Sequence, residues 1–481
     1  MNRKMVFYTI GRILLLEGAV LALPLAVSVY YWDGGQLPLL LTIALSLGLG
    51  LLFIKVFRPD SQVIYAREGF LITALAWVIV SALGALPFVL SGEIPCFVDA
   101  FFETVSGFTT TGASILTDVE VMSRSMLFWR SFTHWIGGMG VLVLMVAVMP
   151  NLSGRTIHIL RAEMPGPTMG KLSPKLGDTA KLLYLLYIAL TVLEFLLLVA
   201  GGMPLFDSAV HTFGTAGTGG FGIKADSLAG YSPYLQWVIA VFMMLFGINF
   251  NLFFLLIMRR FRAAFRSEEL WTYVGIVLVA TGLICWNIRP LFPSFSESLR
   301  HAFFQVTTIS STTGYSTANF DTWPTLSRML LVLLMFIGAC AGSTAGGLKV
   351  SRLVLLFKTF RREIRHLLHP RAVTSVRFEG RPVDSSTLIS VSTYFAIYVG
   401  LFVAFWFLIS FQPGFDGVSN FTAVAACYNN IGPGLNLVGP AASYAGYSPV
   451  CKVLLSFAML FGRLEIYPML ISLSPGIWRK N

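Results

Sequence analysis

The chain has 481 residues, 56% of them hydrophobic and 12% charged, and a mean hydropathy of +0.76. That balance excludes a soluble globular protein. The formal charge of +11 would suit a nucleic acid or another anionic partner only if the basic residues formed a patch, and their spacing along the chain argues against one.

Apolar runs of the roughly 20 residues that a bilayer crossing needs lie near 12–31, 38–57, 70–91, 125–150, 182–204, 233–258, 271–288, 325–348, 387–411 and 449–473, which predicts about ten spans. The first run lacks a small-residue cleavage site and reads as a retained helix rather than a signal peptide. Lys and Arg gather at the N-terminus (Arg3, Lys4, Arg12) and then in alternate loops: Lys55, Arg58 and Arg67; Arg155, Arg161, Lys171, Lys175 and Lys181; Arg259, Arg260, Arg262 and Arg266; Lys349 to Arg381; and Arg479 with Lys480. The intervening loops "YYWDGGQLP", "SGEIPCFVDA" and "FQPGFDGVSN" carry almost none. By the positive-inside rule both termini and every basic loop are expected in the cytoplasm. Cys96, Cys285, Cys340, Cys427 and Cys451 are scattered, without metal-ligand or disulfide-framework spacing.

A repeat emerges next. "TTTGAS", "GTGGFG", "STTGYS" and "NNIGPG" align on Gly112, Gly220, Gly314 and Gly432, which are 108, 94 and 118 residues apart. Each follows an amphipathic stretch too short to cross a bilayer: "DAFFETVSGF", "DSAVHTFGTA", "HAFFQVTTIS" and "SNFTAVAACY". Asp99, Asp207 and Ser419 are the expected N-caps of three of these short helices, and His301 at the matching point predicts no cap for the third. The expected fold is therefore an all-α polytopic membrane protein with two leading helices (1–68) and four repeats of span, short helix, loop and span (69–176, 177–268, 269–384 and 385–481). Every unit starts and ends on the basic side. The repeats are thus parallel about an axis along the membrane normal, unlike the inverted repeats of many secondary transporters.

Irregular backbone at membrane depth leaves carbonyls unpaired, at several kcal/mol each, unless protein, water or a ligand satisfies them. Four such loops around one axis would aim carbonyls at a common centre, where a dehydrated monovalent cation fits. Glycine supplies the positive φ that a filter needs, and threonine adds a hydroxyl without charge. The candidate filter residues are Thr110, Thr111 and Gly112; Thr218, Gly219 and Gly220; Thr312, Thr313 and Gly314; and Asn430, Ile431 and Gly432. The short helices end at the loops, so their partly negative C-termini would face the cation.

"TTGYS" resembles the potassium-channel signature "TVGYG". With "REGFLITALAW", "DAFFETVSGFTTTGAS", "HWIGGMGVLVL", "RAEMPGP", "GACAGSTAGGLKV", "NNIGPGL" and "MLFGRLEI", the whole chain resembles the Trk/Ktr/HKT superfamily, and within it the translocating subunit of the bacterial Trk potassium-uptake system. The resemblance implies potassium translocation across the cytoplasmic membrane, a homodimer with one pore per subunit, and gating by a cytosolic TrkA-like nucleotide-binding ring. In this superfamily a serine at the first filter glycine accompanies sodium permeation, so Gly112 favours potassium. The second loop carries an added glycine, Gly219, and the fourth has no threonine before its glycine, which predicts an asymmetric and less strict filter.

The run Gly338, Ala339, Cys340, Ala341, Gly342, Ser343, Thr344, Ala345, Gly346 and Gly347 is too flexible for an unsupported helix. Close helix packing is one reading. The other, which the resemblance favours, is an intramembrane gate loop beneath the filter, with Lys349 at its end. Arg463 and Glu465 sit inside an apolar run, as a local ion pair or as gate elements. The resemblance places the arginine below the filter, where its charge would raise the barrier to a cation.

Arg130 and His134 are expected to make interhelical contacts, Glu103 and His211 to support their short helices nine residues before Gly112 and Gly220, and Asn249 and Asn251 to cap a helix break. Glu17 and the first two spans suggest no chemistry. The basic stretch 349–381 faces anionic lipid or, as the resemblance suggests, docks a cytosolic regulator. Neither a nucleotide-binding motif nor a metal, haem or nucleophile constellation is evident, so the chain is not expected to be an enzyme, and potassium is its expected cargo rather than a bound cofactor. A sodium-permeable pathway, or a sodium- or proton-coupled symporter, is the alternative.

Overall fold

The first two long helices meet where side chains are absent. Arg3–Val20 and Gln36–Val56 cross at Gly11 and Gly50, where a methyl group on either glycine would lie 2.9 Å from the carbonyl oxygen of the other, the close backbone approach that small residues permit between membrane helices. The computed structural model describes residues 2–59, 64–140, 176–371 and 374–478. Arg155, Arg161, Lys171, Lys175, "RAEMPGP", the second part of the expected 125–150 span, Arg479 and Lys480 lie outside the described residues.

By length and composition, six helical segments among the described residues can cross a membrane: Arg3–Tyr31, Gln36–Val56, Arg67–Ser91, Lys181–Ala200, Glu268–Leu291 and Ser385–Ile409. They present apolar residues such as Leu41, Leu52, Leu193, Val279 and Phe407 outward, as a chain immersed in hydrocarbon requires. The last four of these six open the four repeats. Each is followed by a short helix, Phe97–Phe108, Leu205–Gly217, Phe295–Ser310 or Gly417–Tyr428. At 1.5 Å per residue these reach only about 18 to 24 Å, short of a hydrocarbon core of about 30 Å.

Two of the closing runs are interrupted where expected, near Asn249 and at the small-residue run, and a third, 449–473, is interrupted where a continuous span is expected. Arg124–Gly138 is described over 15 residues. Pro233–Phe246 and Phe250–Ile257 meet at 94°, and Asn249 caps the second piece by accepting the Asn251 N–H at 2.9 Å. Thr325–Met335 gives way to a non-helical loop before Val350–Leu368. Pro449–Arg463 and Tyr467–Leu473 are separated by Leu464, Glu465 and Ile466, the last two at positive φ. Three of the four closing helices are therefore interrupted, the third by small residues and the second and fourth around Asn249 and Glu465.

The short-helix caps also differ from expectation. Asp99, Asp207 and Ser419 are third residues of their helices, and the N-caps are Cys96, Pro204 and Asp416. Ser294 caps the third helix, accepting from Glu297 N at 3.1 Å, which places His301 well inside it. Tertiary contacts claim the displaced residues: Asp99 accepts from Lys452 Nζ at 2.6 Å, and Asp207 accepts from the Tyr231 hydroxyl at 2.8 Å.

A candidate ion pathway

All four short helices end in the same way. The N–H groups of Thr111, Gly219, Thr313 and Ile431 each donate to the carbonyl five residues earlier, on Ser106, Gly214, Thr308 and Ala426, and every one of these bonds measures 2.8 Å. This is the Schellman closure, which needs a left-handed residue just past the helix end. Thr110, Thr218, Thr312 and Asn430 take that role with φ of 54°, 57°, 59° and 56°. Two residues on, Gly112, Gly220, Gly314 and Gly432 have φ of 79°, 75°, 92° and 100°, a region that side chains disfavour.

The same glycines stitch the repeats into a ring. A methyl group on Gly112 would sit 2.1 Å from Gly219 O, one on Gly220 2.0 Å from Thr313 O, one on Gly314 2.1 Å from Ile431 O, and one on Gly432 2.7 Å from Thr111 O. Each glycine thus abuts the carbonyl just before the next repeat's glycine, and the fourth closes on the first. All twelve candidate filter residues meet here.

Cross-links hold the ring from behind. Arg130 donates to Glu103 Oε1 at 2.6 Å and to Gly222 O at 3.0 Å, and its guanidinium carbon lies 3.5 Å from the Phe221 ring centre. Glu103 also accepts from the Ser114 hydroxyl and Ile115 N, each at 3.0 Å. This buried pair ties the segments just after the first and second loops together. His134 places Nδ1 2.7 Å from Gly107 O and accepts from Phe221 N at 3.3 Å. A methyl on Gly219 would fall 2.2 Å from the His134 ring, which accounts for the added glycine of the second loop. Sequence reasoning missed two further clamps: the Tyr315 hydroxyl donates to His211 O and Phe221 O at 3.2 and 3.3 Å, and the Tyr444 hydroxyl to Gly432 O at 2.8 Å. The tyrosine of "TTGYS" was visible, but only its neighbour in space reveals its work.

On one side of the ring the four aligned glycines line a vestibule of about 370 Å³. On the other lies the small-residue loop, whose Gly338 N bonds to Leu348 O at 2.8 Å to close it at its base. Gly346 donates its N–H to Thr312 Oγ1 at 2.7 Å, and a methyl there would meet Asn429 O at 2.7 Å. Cys340 N reaches Gly247 O at 3.0 Å, and Phe250 N reaches Gly342 O at 3.0 Å, so the loop fills the break in the second closing helix. Glu269 Oε1 accepts from Ala341 N at 2.7 Å and Ser351 N at 3.1 Å.

Arg463 donates to Thr344 O at 2.7 Å and to Gly137 O and Gly138 O at 2.5 and 2.8 Å. Lys349 is buried and donates to Ala345 O. Both line the cavity under the ring together with Gly342, Ser343, Ala345, Gly346 and Gly347. Glu465 pairs with Arg352.

Residues 41–272 and 292–479 match the model of a family described as TrkH, cation transport protein. The chain belongs to the TrkH family. The Trk system potassium uptake protein TrkH of Salmonella typhimurium is 38% identical over 489 residues, and that of Escherichia coli K12 is 37% identical over 489, with each alignment covering the whole of both chains. The Trk system protein TrkG of Escherichia coli K12 is 35% identical, over 95% of this chain and 94% of the other. The crystal structure of the potassium transporter TrkH from Vibrio parahaemolyticus superposes with a TM-score of 0.88 at 32% identity, over 100% of both chains. This TrkH-family chain is a multi-pass membrane protein of parallel helix, short-helix, loop and helix repeats.

Proposed function

We propose that this chain conducts potassium inward across the cytoplasmic membrane through the ring of four loops. The observation that carries the reading is the closed cycle of glycine-to-carbonyl contacts, with eight residues at positive φ. Such backbone is costly unless its oxygens serve a purpose, and carbonyls around one axis can replace the hydration shell of a monovalent cation. The Thr110 hydroxyl and Asn430 Oδ1 are buried without a hydrogen-bond partner among the described residues, which suits polar atoms that await an ion. The names of the relatives support potassium as the cargo.

In this reading loop 338–347 is the gate, held against the ring by Gly346 and Thr312, and Arg463 and Lys349 add positive charge to the cavity that a leaving cation must enter. The basic faces are cytoplasmic, both termini included. Helix Val350–Leu368 exposes Phe357, Phe360, Leu367 and Leu368 beside its arginines, a surface suited to a TrkA-like cytosolic ring, and the chain works as a homodimer.

The test is potassium uptake in a host deficient in it, for wild type and Gly112→Ser, with sodium and rubidium as competitors. Growth at low potassium with wild type, and loss of potassium preference in the variant, is the expected result. Unchanged transport of every cation by Gly112→Ser would remove the filter assignment.

A further inference from the structure

A two-residue turn in the basic stretch carries a residue that its own geometry does not favour. Strands Arg377–Phe378 and Arg381–Pro382 pair antiparallel, and between them Glu379 and Gly380 take φ of 50° and 77°. Such a turn favours asparagine, aspartate or glycine at its first position, and a long side chain at positive φ is uncommon. The glutamate has a tertiary task instead. Glu379 Oε1 accepts from the Ser267 hydroxyl at 2.9 Å and from Glu269 N at 3.2 Å. Ser267 is the N-cap of helix Glu268–Ile288, so the hairpin tip grips the first turn of that helix, whose partly positive N-terminus favours a carboxylate.

The hairpin is fastened at its base as well. Val376 is buried with Leu355 of helix Val350–Leu368 and with Leu388 and Val391 of helix Ser385–Ile409, and Phe378 and Val383 pack against them. Lys358, on helix Val350–Leu368, donates to Arg377 O at 2.8 Å and pairs with Glu268. The clamp thus joins the helix that follows loop 338–347 to the helix start that holds the loop, because Glu269, whose N–H is bound by Glu379, itself accepts from Ala341 N and Ser351 N. We infer that hairpin 377–382 is an autoinhibitory latch: Glu379 fixes the first turn of helix Glu268–Ile288, and Glu269 passes that restraint to loop 338–347. When the hairpin is drawn away, the Glu269 backbone loses its anchor, and the two bonds that its carboxylate makes to Ala341 and Ser351 loosen with it. The autoinhibitory role rests on loop 338–347 being the gate proposed above.

The experiment uses the full-length chain as wild type, Glu379→Asn and Glu379→Gln and reads two quantities: deuterium uptake by peptides covering 338–351, and rubidium flux into vesicles without any cytosolic partner. Asparagine suits the turn but stops roughly 1.5 Å, one carbon–carbon bond, short of Ser267; glutamine keeps the reach and an acceptor oxygen. Exchange, which reports local opening, and flux should both rise about fivefold in Glu379→Asn, the factor for one ordinary hydrogen bond, and glutamine should restore most of the wild-type behaviour. In a Glu269→Ala background Glu379→Asn should add nothing further. An equal increment there would show that Glu379 does not act through Glu269 and would overturn the relay. Faster exchange with unchanged flux keeps the hold on the loop and overturns the loop as the gate. Exchange equal in wild type and Glu379→Asn overturns the latch, whatever the flux.

Discussion

Gly346 donates its backbone N–H to the Thr312 hydroxyl at 2.7 Å, so the loop below the ring is hydrogen-bonded to the ring itself. Thr312 is the left-handed point of its segment and Gly346 the close-packed point of the loop, and both are buried, so any displacement of the loop would break this bond.

Replacing Thr312 with valine keeps the shape and removes the acceptor. At about 1 kcal/mol for one hydrogen bond, the population with the loop displaced should rise roughly fivefold. Rubidium flux into vesicles without any cytosolic partner measures it, and a basal flux equal to wild type would detach this contact from gating.

Glu269 offers one carboxylate oxygen to two backbone N–H groups, Ala341 within the loop and Ser351 at the start of the helix that follows it. Glu269→Gln retains an acceptor oxygen and should preserve a closed pathway. Glu269→Ala leaves two buried donors unmet, at about 1 to 3 kcal/mol each, and should raise leak flux and lower thermal stability together. Identical leak in the two variants would contradict this account.

The second loop's added glycine has a specific partner. Gly219→Ala would drive its methyl into the His134 ring at 2.2 Å and should abolish uptake, although the backbone at Gly219 itself takes no positive φ. His134→Ala vacates that space, so the double variant should recover part of the lost uptake, and a double-mutant cycle on transport rate reads the coupling. Strictly additive losses would show that the ring does not decide the glycine.

Glu103 and Arg130 form a buried pair that joins the segments after the first two loops. Removing one partner of such a pair typically costs about 3 to 5 kcal/mol, because the other is left charged and buried. Arg130→Met should therefore lower the unfolding temperature in detergent far more than a substitution at exposed Arg365, and a double replacement, Glu103→Met with Arg130→Met, should recover some of that loss. No difference between the single and double variants would mean that the pair is not the cross-link.

Much of this molecule was open to inspection in the chain alone. The four glycines were legible because positive φ restricts the residue type, and four copies in one frame cannot be accidental; the short helices were legible because their apolar faces are too brief to span. The Asn249 cap was readable because capping is local. What folding alone decided are the pairings between distant residues. Arg463 and Glu465 lie two apart, a spacing at which helical side chains do not face one another, and they go to separate partners: Glu465 to Arg352, Arg463 to carbonyls on two other repeats. Asp99 looked like a cap and instead meets Lys452, 353 residues away. The order in which each loop leans on the next, and the packing of loop 338–347 beneath them, depend on backbone contacts across repeats. No local propensity encodes those contacts, because the atoms that make them are the same carbonyl and amide in every residue.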